Sequence, residues 1–138
     1  MTVETSILRS VKKVLGVDPD YDVFDQDIIM HINSIFSVLY QIGASPHQNF
    51  MISGPEETWE DFLQGRHNAQ MVKTYIFLRV RLLFDPPTTS FAIKALEDQY
   101  KELEWRLNVM EDVFASEPPP PLIPEGYAYL IAPIEEGG

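Results

Sequence analysis

The chain contains no cysteine, which removes disulfides, thiolate zinc sites and cysteine nucleophiles together. Glycine is sparse: seven residues, placed singly at the ends of apolar stretches and in turns or as the terminal pair, so no Gly-rich loop can cradle a phosphate. Hydrophobic runs long enough for a bilayer are missing. The greasiest stretch, residues 69–84, carries Lys73, Arg79 and Arg81, whereas a spanning helix needs about 20 largely apolar residues. Neither Gly-x-Ser-x-Gly nor His-Glu-x-x-His occurs. Bases are the minority, 10 against 21 acids, for a net charge of −11. A surface so acidic lacks the footprint needed to grip phosphates. It suits simple solubility, a surface past which DNA slides, or imitation of DNA's own charge. No signal-peptide pattern is visible, because the first fifteen residues alternate at helical spacing with Arg9, Lys12 and Lys13 inside the pattern. A cytoplasmic protein is the expectation.

What is present is one domain's worth of chain, 138 residues with 45% hydrophobic content, enough for a real core. It is organised around residues 69–114, read as two helices hinged at Asp85-Pro86-Pro87. The first arm, 69–84, is apolar on most sides: Met71, Tyr75, Leu78 and Leu82 form one stripe, and Val72, Ile76 and Leu83 another. Such a helix is buried between neighbours. In the second arm, 90–114, Ser90 is the expected N-cap. Ile93, Leu96, Tyr100, Leu103, Leu107, Met110 and Phe114 recur at alternating spacings of three and four, a heptad seam for packing along the first arm. A weaker strip of Phe91, Ala95, Trp105, Val109 and Val113 runs down the other side. Trp105 there is either a contact point for another subunit or is covered by the N-terminal helices.

The chain in order begins with a short amphipathic helix over 5–15, stopped by Gly16. Asp18, Asp20, Asp22, Asp25 and Asp27 follow. A calcium loop fails on inspection: its sixth position, which needs glycine, is Val23, and its twelfth, which needs glutamate, is Ile29. Asp22 or Asp25 is instead expected to cap the next helix, 25–42, whose broad apolar face holds Phe24, Ile28, Ile29, Ile32, Ile35, Phe36, Leu39 and Tyr40. Asn33, Ser34 and Ser37 mark its wet side. His31 lies at the boundary, and His47 and His67 fall in loop-like surroundings, so no metal pair forms. Residues 43–57 interrupt the helices. Within them Phe50, Met51 and Ile52 are either a small strand or a loop tip pinned to the core. Thr58 caps a short helix ended by Gly65, with Trp59 in the core.

Beyond Phe114 the character changes. Residues 1–110 hold fifteen acids and all ten bases, whereas 111–138 hold six acids and no base. Pro118 to Pro121 cannot continue a helix and favour an extended strut. Leu122, Ile123, Tyr127, Tyr129, Leu130 and Ile131 then crowd into ten residues, too apolar a set for an idle tail. Docking on another chain, by strand addition or in a groove, explains such an arm best, with folding back on its own domain and plain disorder as the alternatives. The division is thus a helical domain over 1–114 and a proline-rich docking arm over 115–138. No catalytic constellation is found, so an enzyme is not expected, and no cofactor or metal is implied. Arg79, flanked by apolar stripes, is expected to pair with an acid.

The stretch MVKTYIFLRVRLLFDPP at 71–87, followed by KELEWRL at 101–107, resembles the head–tail connector (adaptor) proteins of tailed bacteriophages. LGVDPDYDVFDQDI at 15–28 and the segment 43–63, with TWEDFL at 58–63, resemble the same family. The resemblance spans roughly residues 5–110 and leaves the arm unmatched. It implies an all-α protein, a small bundle of four to five helices with a long C-terminal helical hairpin. It also implies a structural virion protein that forms a ring, usually of twelve, beneath the portal. The ring extends the DNA channel and docks the next neck or tail-completion protein. Its expected partners are the portal, neighbouring copies of itself and that next protein, with DNA only as passing cargo and no membrane. Its expected place is the neck, after assembly in the host cytoplasm. Portal or neighbour contact is assigned to Leu122, Ile123, Tyr127, Tyr129, Leu130 and Ile131. Phe50, Ile52, Trp105 and Val109 are weaker candidates for contact between subunits. The rival from another class is an acidic DNA mimic or regulator acting on a host nucleic-acid-binding protein.

Overall fold

The computed structural model describes residues 2–45, 49–66 and 68–116, the last six as backbone only. Five helices follow one another: α1 (Ile7–Leu15), α2 (Asp25–Gln41), α3 (Trp59–Leu63), α4 (Ala69–Phe84) and α5 (Ser90–Ser116). Among the described residues the only β pairing is an isolated bridge between Ser6 and Thr58. The protein is all-α, a small bundle whose last two helices form the expected hairpin.

Helix α4 is the centre. Its side chains offer no wholly polar face, and Val72, Tyr75, Ile76 and Val80 are buried. Helices α1, α2 and α5 all pack against it, as an all-round apolar helix requires. Helix α2 contributes Ile28, Ile29, Ile32, Ile35, Phe36 and Leu39 to the core. Phe24 and Tyr40, expected within that apolar face, are exposed at its two ends. Helix α5 lays Tyr100, Leu103 and Leu107 onto the core, so the heptad seam faces its partner. The side chains of Val113 and Phe114 lie outside the described residues.

Local chemistry sets the helix ends. Ser6 caps α1 by accepting from the Arg9 amide, and Gly16, at φ 83°, closes it in the left-handed region. At α3 a full capping box forms: the Thr58 hydroxyl accepts from the Asp61 amide, and the Asp61 carboxylate accepts from the Thr58 amide, both at 3.0 Å. Two expectations fail by small margins. Helix α5 is capped by Thr89, whose hydroxyl accepts from the Ala92 amide at 3.2 Å and whose carbonyl accepts from the Ile93 amide. Ser90 is already inside the helix. Helix α2 has no side-chain cap. Asp25 lies in its first turn, where it favours the dipole, but its carboxylate is engaged elsewhere.

That engagement is the main electrostatic event of the fold. Lys12 lies on the inner side of α1, one turn beyond Leu8, and only 2% of its side chain is exposed. Its ammonium donates to the Pro19 carbonyl at 3.0 Å and approaches Asp25 Oδ1 at 2.7 Å. The approach to Asp25 is ionic and off the line of a directed hydrogen bond, since that oxygen has no hydrogen-bond donor. A buried ammonium must have such partners. It therefore ties the end of α1, the aspartate-rich corner and the start of α2 into one unit.

The loop between α2 and α3 is pinned to the core and, among its described residues, forms no strand. Asn33, expected on the wet side of α2, reaches it with both amide atoms: its Nδ2 donates to the Ile52 carbonyl at 3.0 Å, and its Oδ1 accepts from the Ile52 amide at 2.8 Å. Ile52 is driven inside at 2% exposure. Phe50 packs its ring against Phe36 and Phe62 at 5.4 and 5.1 Å. The Ser6 hydroxyl donates to the Pro55 carbonyl at 2.8 Å, which holds the end of the loop against α1. Trp59 is core as expected, its indole N–H donating to Ser10.

Replacing Asp25 with alanine leaves Lys12 charged and poorly compensated, so unfolding in urea should show a loss of about 3 kcal/mol. A loss well below about 1 kcal/mol would mean that water reaches Lys12. A second expectation concerns pH. Hydrogen bonds from the Thr58 amide and hydroxyl region hold the Asp61 carboxyl below its usual range, so its stabilising effect is present above the unfolded carboxylate pKa of about 4 and is lost as pH falls through the lower folded value. The stability gap between the native chain and Asp61→Ala should therefore shrink on acidification, and a gap independent of pH would contradict the capping role.

Candidate interaction surface

The rotation of α5 decides which residues the protein shows to others, and a polar clamp under the helix sets that rotation. The Tyr75 hydroxyl on α4 donates to Glu104 of α5 at 2.5 Å. Arg79 Nη1, one turn along α4, donates to the same Glu104 oxygen at 3.1 Å and to the Tyr75 oxygen at 2.6 Å. The guanidinium also lies 4.5 Å from the centre of the Tyr100 ring, a cation–π geometry. Burial, and then the hydrogen bond to Glu104, push the Tyr75 hydroxyl above its ordinary value, with Arg79 partly opposing them. It stays a neutral donor. Arg79 thus has the acidic partner expected of it. Near the far end Asn108 Nδ2 donates to the Ile42 carbonyl at the end of α2, at 3.1 Å.

With Tyr100, Leu103, Glu104 and Leu107 held inward, the opposite side of α5 must face out. Phe91 is 84% exposed and Trp105 66% exposed, with Val109 and Ala95 exposed alongside them. The N-terminal helices do not cover Trp105. Along this strip Lys94 pairs with Asp98 at 2.9 Å, and Arg106 pairs with Glu102. Lys101, one turn before Trp105, is exposed and has no partner among the described residues.

The second exposed feature was not expected as a site. At the corner between α1 and α2, Gly16, Val17, Asp18, Asp20, Tyr21 and Phe24 line an open concavity of about 530 Å³. Tyr21 and Phe24 meet edge to face at 5.8 Å, and Phe24 meets Phe84 in the same way at 5.4 Å. Val23 and Tyr21 are exposed beside it. The signal in the sequence was the interleaving of aspartates with Tyr21, Val23 and Phe24, which reads equally well as a capped connector.

The remaining candidates separate cleanly. Ile52 is enclosed by the subunit's own core, and Phe50 is half-buried against α2 and α3. The Asn33 bonds turn these residues inward, and Met51 between them is the exposed member. Leu122, Ile123, Tyr127, Tyr129, Leu130 and Ile131 lie outside the described residues, as do His47 and His67. Among the described residues no group of side chains suits a metal ion, and no helix is long and apolar enough to cross a membrane.

The family model described as phage connector protein matches residues 7–113, from the first residue of α1 almost to the end of α5. The chain belongs to the phage connector protein family. It is a structural head–tail connector and a component of the virion. No curated protein and no solved structure matches it.

Replacing Glu104 with alanine removes the acceptor shared by Tyr75 and Arg79 and leaves the guanidinium half-buried and unpaired. A loss of about 1–2 kcal/mol is expected in urea unfolding, together with faster amide exchange in the second half of α5 than in α2. Uniform exchange across both helices would show that the clamp does not set the position of α5.

Proposed function

We propose that the protein is the adaptor ring between portal and tail. Copies pack side by side beneath the portal, extend its DNA channel and present a docking surface for the next neck or tail-completion protein. The observation that carries this reading is the exposed strip of Phe91, Trp105 and Val109 on a helix whose rotation is clamped from beneath. An aromatic surface held rigid costs little ordering entropy on association and has the residue types that dominate interfaces. Side-by-side packing of identical copies through different faces closes into a ring when the rotation permits. A ring of twelve is the number implied by the resemblance.

The arm, with Leu122, Ile123, Tyr127, Tyr129, Leu130 and Ile131, is the proposed attachment to the portal or a neighbouring subunit. Its length of apolar residues beyond a proline strut suits strand addition or a groove. The acidic surface supports a channel wall, since attraction at each phosphate would retard passing DNA. The rival DNA mimic needs free acids spaced like phosphates. Here Asp20, Asp25, Asp61, Asp98, Glu102 and Glu104 are each engaged in an ion pair or a cap. Assembly in the host cytoplasm and a position in the neck belong to the same reading.

The test is the mass of the purified protein by light scattering, alone and then mixed with its portal. A large ring, or recruitment in about equal numbers of adaptor and portal subunits, is expected. Removing residues 116–138 should weaken that recruitment. A stable dimer indifferent to the portal would overturn the proposal.

A further inference from the structure

The two exposed features of the subunit are complementary to each other. One is a knob: Trp105 stands out from α5 with Lys101 one turn away, and that ammonium has no carboxylate among the described residues. The other is the concavity of about 530 Å³ at the α1–α2 corner, floored by Tyr21 and Phe24 and rimmed by Asp18 and Asp20. Asp20 is held by Arg9 at 3.0 Å, and one Asp18 oxygen accepts from the Asp20 amide at 2.8 Å. The second Asp18 oxygen and the whole Asp22 carboxylate next to the cleft have no partner among the described residues. In one chain both features are exposed, so neither fills the other.

We propose that Trp105 of one copy inserts into the Gly16–Phe24 concavity of the next, with its Lys101 meeting Asp18 or Asp22 at the rim. This rests on the adaptor-ring reading and names the contact through which copies join. An indole buries on the order of 150–250 Å², prefers edge-to-face aromatic neighbours and is the commonest hot-spot side chain. The cleft offers two such rings already in edge-to-face contact. The lysine at the rim exchanges water for a carboxylate and fixes the direction of insertion. Because knob and hole are different surfaces, the contact is head-to-tail. Each copy can give one and receive one: passed from copy to copy the contact builds a ring or an open chain, whereas a reciprocal exchange would close at two copies and give no ladder beyond dimer.

The absence of cysteine from the chain makes the test specific. Val23→Cys beside the cleft and Val109→Cys one turn beyond Trp105, both at exposed positions that the contact itself does not use, are prepared separately and together and treated with a short thiol cross-linker. A mixture of the two single variants should give far more linked dimer than either alone, and the double variant should give a ladder extending beyond dimer. Trp105→Ala in the native background should weaken self-association about thirtyfold, as loss of a hot-spot tryptophan does. Circular dichroism checks that this exposed change leaves the fold intact. A large assembly by light scattering without the ladder would overturn this contact while leaving the ring standing. A chain that stays monomeric and unlinked when concentrated overturns it as a contact between copies, and recruitment by the portal then decides the ring reading separately. Equal linking by either single variant alone points to a symmetric contact and also overturns it. So does a cleft filled by a cationic segment of another virion protein, seen as Val23→Cys linking to that protein in assembled particles and not to Val109→Cys.

Discussion

Helix α4 carries too much apolar surface to be left in water, and that constraint organises the molecule. With apolar side chains around most of its circumference, it forces α1, α2 and α5 to surround it. Burial of this kind is non-directional, so it gathers the helices without saying how each is rotated about its own axis. The rotations come from polar groups that could not be abandoned inside. Lys12 must find Asp25 and the Pro19 carbonyl, and Arg79 and Tyr75 must find Glu104. Unpaired, each would cost more than the net gain of the bond it makes.

This division of labour has a functional consequence. The Lys12–Asp25 pair holds the aspartate-rich corner against α1 and so shapes the aromatic cleft beside it. The Glu104 clamp turns Trp105 outward, because residues adjacent on a helix point about 100° apart and Glu104 is held inward. Both proposed contact surfaces are thus set by buried or half-buried polar links that take no part in the contact itself. A preorganised surface of that sort suits a protein whose work is assembly, since little side-chain and backbone freedom is lost on docking.

Much of the acidic excess is likewise accounted for by position. Several carboxylates cap helices, pair with cations or tie loops, as Glu57 does by accepting from the Ser53 and Gly54 amides. The Asp22 carboxylate at the α1–α2 corner has no such role among the described residues, and residues 111–138 hold six acids without a base; in the proposed adaptor ring these are the charges presented to neighbours and passing DNA. For a phage connector protein that distribution separates the charge that builds the subunit from the charge it presents.

The sequence by itself determined the elements: helix periodicity, the Thr58 cap, the Gly16 stop and the break at Asp85-Pro86-Pro87 are local signals between residues a few positions apart. It determined the hairpin too, because the heptad spacing in α5 and the all-round apolarity of α4 admit few other arrangements. The family was legible in the order of those same elements. Only the tertiary structure decided that Asn33 would seize Ile52 across nineteen residues and draw Ile52 into the core. Only it decided that Lys12 would be buried, that Asp25 would serve that charge and not the end of α2, and that Tyr21 and Phe24 would floor a cleft. These outcomes depend on which distant polar groups meet when the core closes. Spacing along the chain records what each helix must bury, but it does not record which partner across the fold will satisfy a charge once it is inside.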